Sequence, residues 1–155
     1  MTGFRVGYGA GPAQWVANIT KLQENISACA AMPCQYAAVE ALTGSREHVR
    51  HMVESYGKRR DYLAKRLAAM PLIRYEPSQG TFYGFIDIRA TGLSSEEFAM
   101  KLLAEKQVVV VPGDAFGDGG EGYIRVSFAT SMEQIQKGMD AMEDFLRALS
   151  EKGEQ

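Results

Sequence analysis

The sequence predicts an α+β fold, with a short sheet flanked by helices in its C-terminal half. Two observations carry this. Apolar residues recur at helical spacing as far as Met70-Pro71, and from Ile73 the repeat shortens to the two-residue period of strands. Beyond that switch, segments of strand and helix character follow in the order strand, strand, helix, strand, strand, helix, separated by breakers rich in Gly and Pro. A third observation sets the scale. The chain has 155 residues, 46% of them apolar, enough for a sizeable core and too apolar for a disordered chain.

Residues 4–8 read as a short strand that Gly9, Gly11 and Pro12 terminate. A helix is expected from about 13 to 27, where Trp15, Val16, Ile19 and Leu22 stand near helical spacing. Pro33 suits the first turn of a second helix whose Tyr36, Val39 and Leu42 share a face, until Thr43-Gly44-Ser45 interrupts it. Ser45 is a candidate N-cap for a long third helix, with His48 where a capping-box Glu would stand. Its stripe is Val49, Met52, Val53, Tyr56, Tyr62, Leu63, Arg66 and Leu67. Ile73 to Glu76 and Thr81 to Ile88 read as strands around the turn at Pro77-Ser78-Gln79-Gly80. Ser94 or Ser95 caps the next helix, which carries Phe98, Leu102 and Leu103. Val108 to Val111 has the continuous apolar character of a buried strand. Loops follow at residues 112–114 and 117–122. Tyr123 to Phe128 is a further strand, with Ile124 and Val126 facing away from Arg125. Ser131 caps a last helix with Ile135, Met139, Met142, Phe145, Leu146 and Leu149 on one side, and the polar residues from Glu151 read as a frayed tail.

Several functional classes find no support. A net charge of −2 offers no electrostatic footprint for nucleic acid or an anionic membrane. No apolar run approaches the roughly 20 residues that span a bilayer, and no signal peptide is visible. Cys29 and Cys34 are too few for a disulfide framework and lack the Cys-x-x-Cys spacing, so a reducing cytoplasm is the default setting. His48 and His51 have no evident third metal ligand, and no metal site is expected. Gly7, Gly9 and Gly11 do not make the dinucleotide fingerprint.

Four short stretches carry a resemblance. Met1-Thr2-Gly3-Phe4-Arg5-Val6-Gly7-Tyr8 resembles the end of the run Ser-Lys-x-x-x-Met-Thr-Gly-aromatic-Arg-x-Gly-Tyr of class I/II, fold-type I aminotransferases, which use pyridoxal phosphate. Pro77, Gly80, Phe82 and Tyr83 resemble the strand entry of that family's small domain. Val110-Val111-Pro112-Gly113 with Phe116-Gly117 resembles its following loop, and Tyr123-Ile124-Arg125-Val126-Ser127-Phe128-Ala129 its arginine-bearing strand. The spacing of Gln35, Ala38 and Leu42 also fits the family's interdomain helix. The resemblance implies a trailing piece of the large cofactor-binding domain over 1–35, long interdomain helices over 36–70, the small α+β domain over 71–150 and a disordered tail over 151–155.

The resemblance also implies roles. The family lysine that forms the Schiff base would fall just before Met1, so the chain is expected to hold no catalytic residue, to bind the cofactor non-covalently if at all, and to be inactive alone. Arg5 would hold the cofactor phosphate, because a planar guanidinium engages two oxygens of a dianion at once. Arg125 would take the substrate α-carboxylate by the same bidentate logic. One of Phe82 and Tyr83 would line the substrate pocket, with Phe82 the named candidate. The complete protein would move an amino group from an amino acid to a 2-oxo acid as a homodimer, with the segment from Lys21 to Gln35 close to the partner subunit. A β-lyase on the same scaffold and a non-catalytic stand-alone module are the alternative readings.

Overall fold

The computed structural model describes residues 1–153, which divide into two compact units, Met1–Arg50 and His51 onward. The first unit is helical. A 3-10 turn, Thr2–Phe4, leads into an irregular stretch, and α1 spans Ala13–Ser27. Helix α2 spans Met32–Thr43, with Pro33 in its first turn, where a missing backbone N–H costs nothing. The expected strand over 4–8 does not form. Arg5 adopts a left-handed φ of 48°, which breaks an extended run, and among residues 1–50 no strand is described for it to pair with.

The apolar stripes of this unit form as their spacing predicts but stay uncovered. No residue of α1 or α2 is buried, and Trp15 is 68% and Ile26 78% exposed. The start of α3, Glu47–Ala68, shows the same thing. Met52 and Val53 are exposed, whereas Leu63 and Leu67 further along the helix are buried. Ser45 caps more modestly than a capping box would, accepting the Glu47 N–H at 3.3 Å.

The second unit builds a four-stranded antiparallel sheet from β1 (Arg74–Tyr75), β2 (Tyr83–Asp87), β3 (Val111–Pro112) and β4 (Tyr123–Ser127), in the order β1-β2-β4-β3. Helix α4 spans Ser95–Lys106 and α5 spans Met132–Gly153. The inner sheet face, carrying Ile86, Ile124 and Val126, closes a core with Leu63 and Leu67 of α3, Phe98 and Leu102 of α4, and Met139, Met142, Phe145 and Leu146 of α5. Phe98 and Phe145 meet edge to face at 5.3 Å, the arrangement that ring quadrupoles favour. Arg66 of α3 ties to α5 by donating to Glu143 at 3.0 Å and pairing with Asp140 at 2.7 Å.

Three details depart from the sequence reading. Of the expected strand Val108–Val111, only Val111 pairs. β3 is an edge strand with β4 on one side alone, and Val109 points to solvent, 76% exposed. Helix α5 continues through Gly153, past the point where a disordered tail is expected, while residues 154–155 lie outside the described residues. Of the two serines before α4, Ser94 is the cap, in a full capping box with Glu97, and Ser95 is completely buried.

Ser95 Oγ accepts the backbone N–H of Gly122 at 2.9 Å and of Tyr123 at 3.2 Å, and donates to the Gly120 carbonyl at 3.4 Å. It thereby fixes the chain as it enters β4. Replacing it with alanine leaves two backbone donors without that acceptor. Each orphaned buried group costs about 1–3 kcal/mol, so Ser95→Ala should destabilise the protein by about 2 kcal/mol or more in urea unfolding.

Candidate functional site

The face of the sheet turned away from the core carries Arg125, the sequence candidate for binding a carboxylate. Because side chains alternate along a strand, burial of Ile124 and Val126 forces Tyr123 and Arg125 of β4 to the opposite face. Tyr83, Phe85 and Asp87 of β2 share that face by the same alternation. Arg125 stands opposite Phe85 on one side and Val111 on the other.

Arg125 is half-buried. Its guanidinium carbon lies over the Tyr83 ring at 4.2 Å and over the Phe116 ring at 4.3 Å. Phe116 sits in the loop after β3, at the end of a 3-10 turn, Gly113–Phe116. Gly113 and Gly120 touch backbone to backbone there, and a methyl group on either would overlap the other's main chain. Around the ring pair, Phe85 stacks on Tyr123 at 5.1 Å and meets Phe116 edge-on at 6.4 Å. Among the described residues no carboxylate pairs with Arg125, and its side chain donates no hydrogen bond to the protein. Ring faces hold the cation without occupying its N–H edges. Those edges form a planar fork matched to a carboxylate.

A second arginine on the same side is spent within the protein. Arg89 forks onto Asp87 through Nε at 2.9 Å and Nη2 at 2.6 Å, and its guanidinium carbon lies 5.3 Å from the Tyr123 ring centre. The hydrogen bonds from the Arg89 side chain are the main reason the Asp87 carboxyl is held down, to about 2; burial opposes them, and the Arg89 backbone N–H adds to them.

The remaining sequence candidates are placed as follows. Phe82 is half-buried on the core side, stacked on Tyr56 at 5.9 Å beside a cleft of about 470 Å³ whose lining includes Arg60, Ser78 and Phe128. The ring against Arg125 belongs to its neighbour Tyr83, 4.5 Å from the Phe82 ring. Arg5 belongs to the first unit, exposed, in the turn after Thr2–Phe4. The sequence singles out Arg125, but gives Phe116 only as part of a loop motif and not as its neighbour. No local periodicity marks a loop residue, and only the close approach of Gly113 and Gly120 brings that ring to the strand.

Comparison with known proteins identifies the kin of this chain. The model of the family described as aminotransferase class I and II matches residues 1–142. An aspartate aminotransferase of Pyrococcus abyssi is 43% identical over 149 residues, covering 95% of this chain and 38% of that protein. An aromatic-amino-acid aminotransferase of Thermococcus litoralis is similar to the same degree, 43% identical with 38% of its length covered. Among solved structures, an aromatic aminotransferase of Pyrococcus horikoshii superposes with a TM-score of 0.90 at 40% identity, over 96% of this chain and 41% of that one. An alanine aminotransferase of Pyrococcus furiosus does so with a TM-score of 0.84 at 31% identity, over 95% and 39%. The chain thus spans about two fifths of the length of the relatives it matches.

The Asp87–Arg89 pair has a pH signature. Folding lowers the carboxyl from 3.8 to about 2, so its contribution to stability is complete above about pH 4 and is lost as pH falls through 2. Urea midpoints of the wild type and of Arg89→Gln should differ by a constant amount from pH 6 to 4, with the gap closing toward pH 2. A gap that does not change with pH would show that the pair does not hold the carboxylate ionised.

Proposed function

We infer the function from kinship and from one side chain: the chain belongs to the class I and II aminotransferases, and the state of Arg125 suits an amino-acid substrate. The activity we propose is transfer of an amino group from an amino acid to a 2-oxo acid, carried out by this chain together with the part of the family architecture it does not span. The observation behind the reading is a half-buried guanidinium with no carboxylate partner among the described residues. A partly desolvated cation without a counter-ion is costly, and a substrate carboxylate supplies the missing partner. The relatives' names cover aspartate, aromatic and alanine aminotransferases. Their donors share the α-carboxylate, the group we assign to Arg125.

The donor chemistry fits pyridoxal phosphate in part. Arg5 is an exposed residue in a glycine-flanked turn, and Gly7, Gly9 and Gly11 have no neighbouring atom where a side chain would stand. That openness lets a phosphate approach the main chain, and the fork of Arg5 suits two of its oxygens. The first lysine in the sequence is Lys21, well inside α1. When bound, the cofactor supplies the electron sink for bond breaking at the substrate's α-carbon. Arg5 would bind and orient it, and Arg125 would hold the substrate by its carboxylate beside Tyr83, the neighbour of the core-side Phe82.

Assembly follows the same reading. Leu22, Ile26 and Met32, in the segment from Lys21 to Gln35, are all more than half exposed. Apolar surface on that scale is covered in a working protein. We propose that part of the cover comes from a second copy in a homodimer. The setting we propose is the reducing cytoplasm, in keeping with Cys29 and Cys34 as free thiols. No described helix is long and apolar enough to cross a membrane.

The test is Arg125→Lys in the full-length holoenzyme. Lysine keeps the charge and loses the planar fork. A charged hydrogen bond is worth about 1.5–3 kcal/mol, so kcat/KM for the amino acid should fall roughly ten- to hundredfold while cofactor affinity stays unchanged. Unaltered kcat/KM would remove Arg125 from the substrate site.

A further inference from the structure

We propose that Tyr83 and Phe116 are positioning residues for Arg125: their rings hold its guanidinium in place for a carboxylate while leaving its N–H groups unspent. The proposal rests on the reading of Arg125 as the carboxylate clamp. It adds two residues and a mechanism of preorganisation to that reading.

The geometry supports it at three points. Both rings lie against the guanidinium carbon, at 4.2 and 4.3 Å, well inside the roughly 6 Å over which the attraction between a cation and a ring face operates. Protein carboxylates commonly orient arginines, and here Asp87 performs that role for Arg89 on the same face. An acidic partner at Arg125 would orient it equally well but would occupy the edges a substrate needs. Ring faces orient it and leave those edges available. Finally, each ring is carried by an anchored stretch of main chain. Tyr83 lies on β2, its carbonyl accepts the Ser78 hydroxyl at 2.8 Å, and its strand pairs directly with the strand of Arg125. Phe116 is carried by the loop that the contact between Gly113 and Gly120 closes. Rings carried on a held main chain restrict the rotamers of a long arginine before substrate arrives, so less freedom is lost on binding.

The decisive experiment uses the full-length holoenzyme and separates binding from turnover. Tyr83→Leu and Phe116→Leu should each raise KM for the amino-acid substrate roughly three- to thirtyfold, the range of a cation–π contact, with kcat within about twofold. The amine that lacks the carboxylate should react with unchanged efficiency in both variants. Tyr83→Phe and Phe116→Tyr, which keep a ring face, should restore KM to within about twofold of wild type. In an Arg125→Ala background, Phe116→Leu should cost nothing further. Should the leucine variants fail to fold, progressive fluorination of the Phe116 ring keeps shape and drains the ring face of negative charge, and KM should then rise with each fluorine. Normal KM in the leucine variants or across the fluorinated series, alongside an impaired Arg125→Lys, overturns the positioning role and leaves the carboxylate clamp standing. Equal losses for the acid and the amine also overturn it, since a merely structural role would give that result. An unaffected Arg125→Lys overturns the clamp and this proposal together.

Discussion

The two-residue alternation of β4, locked between β2 and β3, is the constraint from which the site follows. Ile124 is completely buried and Val126 nearly so, against helices α3, α4 and α5. A slip of one residue would push both into solvent and drive Arg125 into the core, at a cost of about 1.5–3 kcal/mol for each aliphatic side chain besides the penalty for a buried charge. The register is therefore set by the core, and Arg125 reaches the outer face because it has nowhere else to go. Hydrophobic burial on the other side of the same strand thus places this cation on the outer face.

The surroundings of Arg125 inherit their precision from the same core. Ser95 ties the first turn of α4 to the chain entering β4. Gly113 and Gly120 approach too closely for any side chain, which brings the loop bearing Phe116 back over the sheet. Asp87 and Arg89 settle each other's charge within the protein, and Arg66 does the same between α3 and α5. Arg125 differs from both of those arginines. All three lie against ring faces, but among the described residues Arg125 has no carboxylate partner.

Much of the second unit was legible from local pattern. The change of period after Met70-Pro71 marks the start of the sheet, Ser94 with Glu97 marks the helix start, and the alternation in Tyr123 to Ser127 assigns Arg125 its face. The first unit was less so. Residues 4–8 have strand-like composition, but a strand needs a partner, and composition cannot supply one. Val108 to Val110 look buried because they are apolar, yet an edge strand leaves Val109 in solvent. The stripes of α1 and α2 follow from their spacing; what covers them does not. The same limit applied at the site. The arginine stood out in its motif, whereas the rings that hold it meet it only through strand pairing and loop closure, contacts between residues distant in sequence.

The central claim is that Arg125 meets the substrate's carboxylate through the free edges of its guanidinium. A crystal structure of the full-length holoenzyme with a non-reactive amino-acid analogue tests it most directly. Arg125 should make two parallel hydrogen bonds of about 2.7–2.9 Å to the two carboxylate oxygens, with the Tyr83 and Phe116 rings still against the guanidinium. A carboxylate held by other groups, with Arg125 turned away from it, would contradict the account.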